Sequence, residues 1–451
     1  MNPLLDTMAR TSTLIAATAL FAACGGGGTP AVSTGDVLEN SNKKVVVASF
    51  GPNVVSTWHD VAFATVSVPA SPTGATPEER VAGPDLTTVH LAMYDAVIAI
   101  AGTHEPYAIK PATSGAGAGA QAMDAAAIEA AYRTLKGLFP SRGDKYEAAY
   151  SSGIAVIPDG EAKALGRAIG AEVAAGMLAL RANDGRLTVL PPYVPGMQPG
   201  QFRNATPVNR IAPYIRPFAT LSHSQFRAPA PYALGSGQYA DDLNETKAMG
   251  GAVSSQRTAA QTEIARFHTE PPESFWARNL RQFAMASPSL ADNARLLAML
   301  SVAFRDGGSG CFESKYNYNF WRPLSAIPLA DTDGNPATEA DPQWAPVVPT
   351  PNHPEYPAAH GCASGAVVET VRAFYGTKNV SFDFTSTVTG TTHHYDRTDD
   401  LLKEVKDARV WGGMHFRTSV DAGAELGKEV AKWIAKNHFG SEVAASTPER
   451  P

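Results

Sequence analysis

The stretch KYNYNFWRP, Lys315 to Pro323, sets two long cations among four aromatic residues. If it is one helix, seven residues advance the chain by about 700°, so Lys315 and Arg322 point the same way, about 10 Å apart. Long cations are seldom buried without partners, and no Asp or Glu lies between these two. Two readings stay open on this stretch alone. Either both side chains snorkel to water from an aromatic face, or they share an anion brought from elsewhere.

Two further segments bear on the choice. In HPEYPAAHGCASGA, His353 to Ala366, a proline and two alanines lead His360 onto the start of a small-residue helix. Free amides there favour an anion and lower an imidazole pKa. A bland role for His360, in a contact between helices, is the alternative. In ARVWGGMHFRTSVDAGAELG, Ala408 to Gly427, Arg409 and His415 lie six residues apart, roughly 240° around a helix, and would diverge on a continuous one. The Gly412-Gly413 pair ends a helix and lets the chain turn, so both can face one pocket.

Taken in order, K-x6-R-P, P-x-x-H and R-x5-H resemble the three-part signature of the vanadium-dependent haloperoxidases and the related type 2 phosphatidic acid phosphatases, most nearly the bacterial vanadium-haloperoxidase-like proteins. The resemblance runs from Lys315 to His415, with softer similarity back through ARLLAMLSVAFRD to LAMYDA. It implies a mainly α fold, two helical bundles around one oxyanion pocket, with at most a small β-hairpin. It implies vanadate as cofactor, with phosphate able to take the same pocket. Lys315, Arg322, Arg409 and the Ala359 amide would bind the oxygens, His415 would ligate vanadium, His360 would be the acid-base group, and Lys315 would polarise the oxidant. The implied reaction oxidises a halide with hydrogen peroxide to hypohalous acid, which meets a small organic acceptor. Two alternatives are an acid phosphatase working through a phosphohistidine on His415 and a non-catalytic oxyanion-binding envelope lipoprotein.

The chain departs from the family pattern at several places. The usual P-S-G-H is here Pro357-Ala358-Ala359-His360, without the serine hydroxyl and without the glycine. Ser419 stands where an acidic residue often follows the ligand histidine, which leaves the partner of His415 open, with Asp421 near in sequence. Phe312 replaces a tryptophan of chloroperoxidase-type members. His353 matches the histidine of bromoperoxidase-type members and leans the reading towards bromide or iodide. If Lys315 and His360 line one pocket, Cys311 and Cys362 come close enough to form a disulfide.

The rest of the chain frames this core. With 451 residues, 44% hydrophobic and 18% charged, it is an ordinary globular composition. A net charge of -6 without a basic stripe argues against nucleic acid. Helical periodicity runs from Asp85 through LAMYDAVIAIAG, and over Ala122 to Leu138, Gly160 to Ala182, Ser254 to His268, Glu273 to Ala286, Leu290 to Arg305, Ser364 to Tyr375, Leu401 to Ala408 and Val420 to Lys436. VVVASF near the start and Val380 to Val388 read as strands of a satellite hairpin. The Pro-rich stretch from Arg186 to Gly250 either wraps the helical body or shapes a cleft. DTDGNPATEADP, from Asp331, is a turn, because Pro342 stands where a calcium loop needs a carboxylate. Thr11 to Cys24 is a short apolar run ending in FAAC, similar to a lipoprotein signal, which would put a lipid on Cys24 and the protein in the periplasm or on the outer membrane of a bacterium; Phe21 in place of the usual Leu leaves simple cleavage and release as the alternative. The expected domains are a signal over 1–24, a flexible linker over 25–43, the helical domain over 44–440 and a disordered tail over 441–451.

Overall fold

The computed structural model describes residues 43–67, 85–254 and 256–441. The signal-like segment with Cys24, the linker up to residue 42 and residues 442–451 lie outside the described residues. Ser441 pairs with His104 in an isolated bridge, so this first position of the expected tail belongs to the folded body.

In chain order the helices are α1 (Val54–Val66), α2 (Asp85–Ala101), α3 (Ala120–Leu138), α4 (Gly143–Ala155), α5 (Glu161–Arg181), α6 (Gly237–Gly250), α7 (Ala259–Phe267), α8 (Pro272–Leu280), α9 (Leu290–Tyr318), α10 (Pro323–Ala326), α11 (Ala359–Tyr375), α12 (Thr398–Trp411) and α13 (Arg417–Asn437). The first bundle is α2, α3 and α5, flanked by α1 and α4; the second is α9, α11 and α13, flanked by α7 and α12. Helix α2 is buried almost all round, as its run of Val89, Leu91, Met93, Val97 and Ile98 requires, and it also packs on α9. A buried chain from the Ala277 carbonyl through His59 and His90 to Ser301 also ties the bundles together. Among the described residues no helix is long and apolar enough to cross a membrane.

Helices α11 and α13 meet along glycines. A Cβ on Gly427 would lie 2.0 Å from the Cys362 carbonyl oxygen, and one on Gly365 would lie 2.2 Å from that of Ala424. Only backbones without side chains approach so closely, and this contact sets the start of α11 against the start of α13.

The sheet corrects the expected hairpin of VVVASF with Val380 to Val388. Strands β1 (Val45–Val46), β2 (Val380–Thr385) and β3 (Thr392–Tyr395) form one three-stranded sheet. Strand β1 runs parallel to β2, Val45 opposite Val380, while β2 makes its hairpin with β3, Phe382 opposite Tyr395. Val380, Phe382 and Phe384 alternate inward onto Phe267, Phe275 and Trp276, the period-2 burial of a one-sided sheet.

Helices α1, α4 and α6 were not foreseen. In α6 few residues are both apolar and buried, Tyr239, Ala240 and Leu243 among them, which leaves a weak stripe inside a Pro-rich context. Helix α9 runs well past Arg305; glycines at 307, 308 and 310 hide its periodicity, and Gly307 and Gly310 let it pack closely against Ala366 and the His223 carbonyl. The Pro-rich stretch both wraps and shapes a cleft. Leu190, Tyr193, Arg210, Pro213 and Tyr214 form, with Tyr316, a groove of about 360 Å³.

Candidate active site

Lys315 and Arg322 do not share a helix. Helix α9 ends at Tyr318, where Asn319 takes the left-handed conformation (φ 51°), and Arg322 stands just before α10. The Pro-rich stretch braces the turn between them: Phe202 N–H donates to the Asn319 carbonyl, Trp321 N–H to that of Gly200, and the Tyr193 hydroxyl to Asn319 Oδ1. The two cations still converge, because the turn folds Arg322 back across the mouth of α9.

Lys315 is fully buried, its Nζ donating to the carbonyls of Pro354 (2.8 Å) and Glu355 (2.9 Å). Arg322 Nε donates to the His353 carbonyl, Nη1 to that of Met414 and to His415 Nε2 (2.8 Å), and Nη2 to His353 Nδ1 (2.9 Å). Arg409, in the last turn of α12, is the least satisfied. Its Nη1 donates to the His268 carbonyl, its Nη2 meets only the Met414 thioether, and its buried Nε has no partner among the described residues.

His415 follows the turn at Gly412-Gly413, where Gly413 (φ 72°) lies against Gly250 at the end of α6. Its Nδ1 donates to Glu355 Oε1 (2.9 Å), which also takes the Phe416 amide. That hydrogen bond fixes the tautomer and leaves the Nε2 lone pair as an acceptor, the state a metal ligand needs. Glu355 is therefore the partner that the sequence left open. Asp421 pairs instead with Lys406, and Ser419 turns its hydroxyl to the Glu355 carbonyl while its own carbonyl takes the Ala358 amide. Glu355 lay in the quoted His353 segment, but only the tertiary pairing reveals its role.

His360 is half-buried in the first turn of α11, one residue after Ala359, and the buried Ala358 stands at the N-cap without a side-chain cap bond. The first-turn amides of this helix have no carbonyl to serve within it. Phe312 and His353 meet edge to face, ring centres 5.1 Å apart, beside Arg322. Cys311 and Cys362 are joined in a disulfide between α9 and α11, Cα atoms 6.2 Å apart.

Burial dominates the electrostatics of the site. Burial, with its fellow cations, holds the Lys315 ammonium well below its ordinary pKa. Burial takes Arg322 down to about 10, and burial with Arg322 takes Arg409 to about 9. His415, His360 and His353 are likewise held well below the usual imidazole value, first by burial and then by neighbouring cations. Among the described residues Glu355 is the carboxylate that faces this cluster, and burial pushes it up to about 7. A small, buried volume thus carries a surplus of positive charge, the complement of a multiply charged oxyanion.

Three buried cations and two imidazoles thus gather where α9, α11, α12 and α13 approach one another. Residues 295–440 match the family described as the VCPO second helical-bundle domain. The vanadium chloroperoxidase of Curvularia inaequalis is 25% identical over 256 residues, 42% of this chain and 41% of that enzyme, so the match spans about two-fifths of the relative's length. In fold, a bacterial vanadium-dependent iodoperoxidase superposes with a TM-score of 0.65 at 20% identity, covering 87% of this chain and 99% of that one. The apo form of a bacterial vanadium-dependent chloroperoxidase gives 0.61 at 15% identity, covering 83% and 96%. Residues 295–440 thus match a haloperoxidase bundle family, and the fold is that of the bacterial vanadium-dependent haloperoxidases.

Proposed function

We propose that the chain is a vanadate-dependent haloperoxidase that oxidises bromide or iodide with hydrogen peroxide to hypohalous acid. The observation that carries this reading is the buried cation surplus around a histidine whose Nε2 is kept as an acceptor by Glu355. The residues present fit vanadate. His415 Nε2 would ligate it, and Lys315, Arg322, Arg409 and the amides of Ala359 and His360 would meet its oxygens. When bound, vanadate supplies a Lewis-acid centre that activates peroxide without a change of oxidation state.

The protein's own groups do the rest. The two arginine forks orient the anion, and Arg409 brings the unpartnered Nε that an oxygen would satisfy. Lys315, fixed by two carbonyls, would offer a point charge to the oxygens of a bound anion. His360, with its pKa lowered, is neutral near pH 7 and able to take a proton and return it. Bromide or iodide is favoured because His353, a polar ring engaged with Arg322, stands with Phe312 at the side of the pocket. The alanines at 358 and 359 remove a hydroxyl but keep the amides, so oxyanion binding survives through backbone contacts. Export with a lipid on Cys24 belongs to the same proposal and places this chemistry outside the cytoplasm.

The test loads the protein with orthovanadate and measures peroxide-dependent bromination of an activated β-diketone beside hydrolysis of a phosphate monoester, with His415→Ala and His360→Ala in parallel. Bromination that requires vanadate and both histidines is expected. Hydrolysis without bromination would move the chain to the phosphatases, and tight vanadate binding with neither reaction would make it a binding protein.

A further inference from the structure

The groove between the Pro-rich stretch and α9 is not used by the site above. Its volume, about 360 Å³, lies in the range of small-molecule sites. Glu313, Tyr316 and Asn317 on the last two turns of α9 form one wall, and the Pro-rich stretch forms the other with Tyr193, Arg210 and Tyr214. The Tyr193 hydroxyl donates to Asn319 Oδ1 and that of Tyr316 to the Val208 carbonyl, so what these two rings have left for a ligand is aromatic surface. They meet edge to face, ring centres 6.4 Å apart. Tyr214 is 55% exposed, and its hydroxyl has no partner among the described residues.

Charge along the groove is uneven. Glu313 is already neutralised, because both of its oxygens accept from Arg227. Arg210 leans over the Tyr193 ring, 5.5 Å from guanidinium carbon to ring centre, and its Nη2 donates to the Pro191 carbonyl (2.7 Å). No carboxylate meets it among the described residues. The groove therefore offers aromatic walls and one uncompensated cation.

A single side chain separates the groove from the anion pocket. On α9, at about 100° per residue, Phe312 stands about 60° from Lys315 on one side and about 40° from Tyr316 on the other. Its ring centre lies 6.5 Å from that of Tyr316 and 5.1 Å from that of His353, whose Nδ1 takes Arg322. Phe312 is thus a shared wall, with the cations to one side and the tyrosines to the other.

We propose that this groove holds the organic acceptor and that the acceptor is a small phenolic carboxylate. This rests on the haloperoxidase reading. The ring lies among the tyrosines, and the carboxylate meets the Arg210 fork. Hypohalous acid leaving the pocket past Phe312 then finds an electron-rich ring beside it. In ArH + HOX → ArX + H2O, the ring carbon ortho to the hydroxyl gives an electron pair to the halogen, and the O–X bond breaks with its pair staying on oxygen. The displaced ring proton joins the hydroxide as water. The ring carbon is oxidised and the halogen reduced, so no further reagent is needed. The phenol hydroxyl makes the ring reactive, and the carboxylate makes it recognised.

The test uses the full chain with 4-hydroxyphenylacetate as probe and 4-methylphenol, a similar ring without the carboxylate, as control. Binding of each is measured by calorimetry on vanadate-loaded protein without peroxide, so that the carboxylate cannot take the anion pocket. The kcat/KM for bromination of each is then measured with peroxide and bromide. Wild type should prefer the carboxylate in both measurements, and Arg210→Gln should cut that preference about tenfold, the worth of one half-buried charge-assisted pair. Tyr214→Ala, at an exposed position that puts folding at little risk, should weaken both compounds alike. Equal binding of the two by wild type, or a preference that Arg210→Gln leaves intact, overturns the groove as acceptor site while the enzyme reading stands. Binding that depends on Arg210, with no bromination of either phenol or of the β-diketone, overturns the enzyme reading and the acceptor role with it.

Discussion

Arg409 gives the sharpest test of the cation pocket, because its two roles pull stability and binding in opposite directions. The side chain is 1% exposed, donates one good hydrogen bond, meets one thioether and leaves Nε without a partner. Replacing a buried ion that is so poorly compensated with an apolar residue of similar length is neutral or stabilising by about 1–4 kcal/mol. Arg409→Met should therefore melt no lower than wild type in the absence of anion. Binding should suffer: a guanidinium about 4 Å from an oxyanion at an effective dielectric near 20 is worth about 4 kcal/mol, roughly a thousandfold in affinity. For wild type, orthovanadate at about 100 times its dissociation constant adds about 2.7 kcal/mol of stability. For roughly 400 folded residues that shift is about 3 °C. The assay is a pair of thermal melts with and without orthovanadate, supported by calorimetry. A variant that melts several degrees lower without anion, yet keeps the full vanadate shift, would refute the reasoning.

Three other expectations follow from particular contacts. Glu355 has its pKa raised from 4.5 to about 7 by burial, so the native state holds a proton that the unfolded state releases; stability falls as pH rises between these values, by about 3 kcal/mol in total, and Glu355→Gln should flatten that slope in denaturant titrations. Replacing both Cys311 and Cys362 with serine opens a link across 51 residues and should cost about 4 kcal/mol on the chain-entropy view, while peptide mapping of the unreduced protein should recover the bridged pair; free thiols throughout would contradict the pairing. Gly427→Ala drives a Cβ into the Cys362 carbonyl and should destabilise by about 3 kcal/mol or more, whereas Gly308→Ala, in open space on α9, should stabilise by about 0.5–1 kcal/mol; equal melting of the two would mean that α11 and α13 are not packed through their glycines.

Much of the second bundle was legible because its signals are local. Three short motifs carry Lys315, Arg322, His360, Arg409 and His415, and cations without nearby carboxylates left an anion brought from elsewhere as one of two readings. The periodicity of α2, α3, α5 and α13 identified them because each has an apolar stripe to bury. Where packing is made by glycines, as in the far half of α9, or where few apolar side chains are buried, as in α6, the stripe disappears and so does the sequence signal.

By itself, then, the sequence indicated the mainly helical class, the cations and histidines proposed for the site, and the turn that separates Arg409 from His415. The tertiary structure decided the pairings. Glu355 meets His415 across 60 residues, and Glu404 meets His268 across 136. Asn319, not a continuous helix, brings Arg322 back beside Lys315, with the Pro-rich stretch bracing the turn. The physical reason is the range of the interactions. Helix periodicity and turn chemistry act over a few residues, but a buried charge takes its partner from whatever the folded chain places next to it.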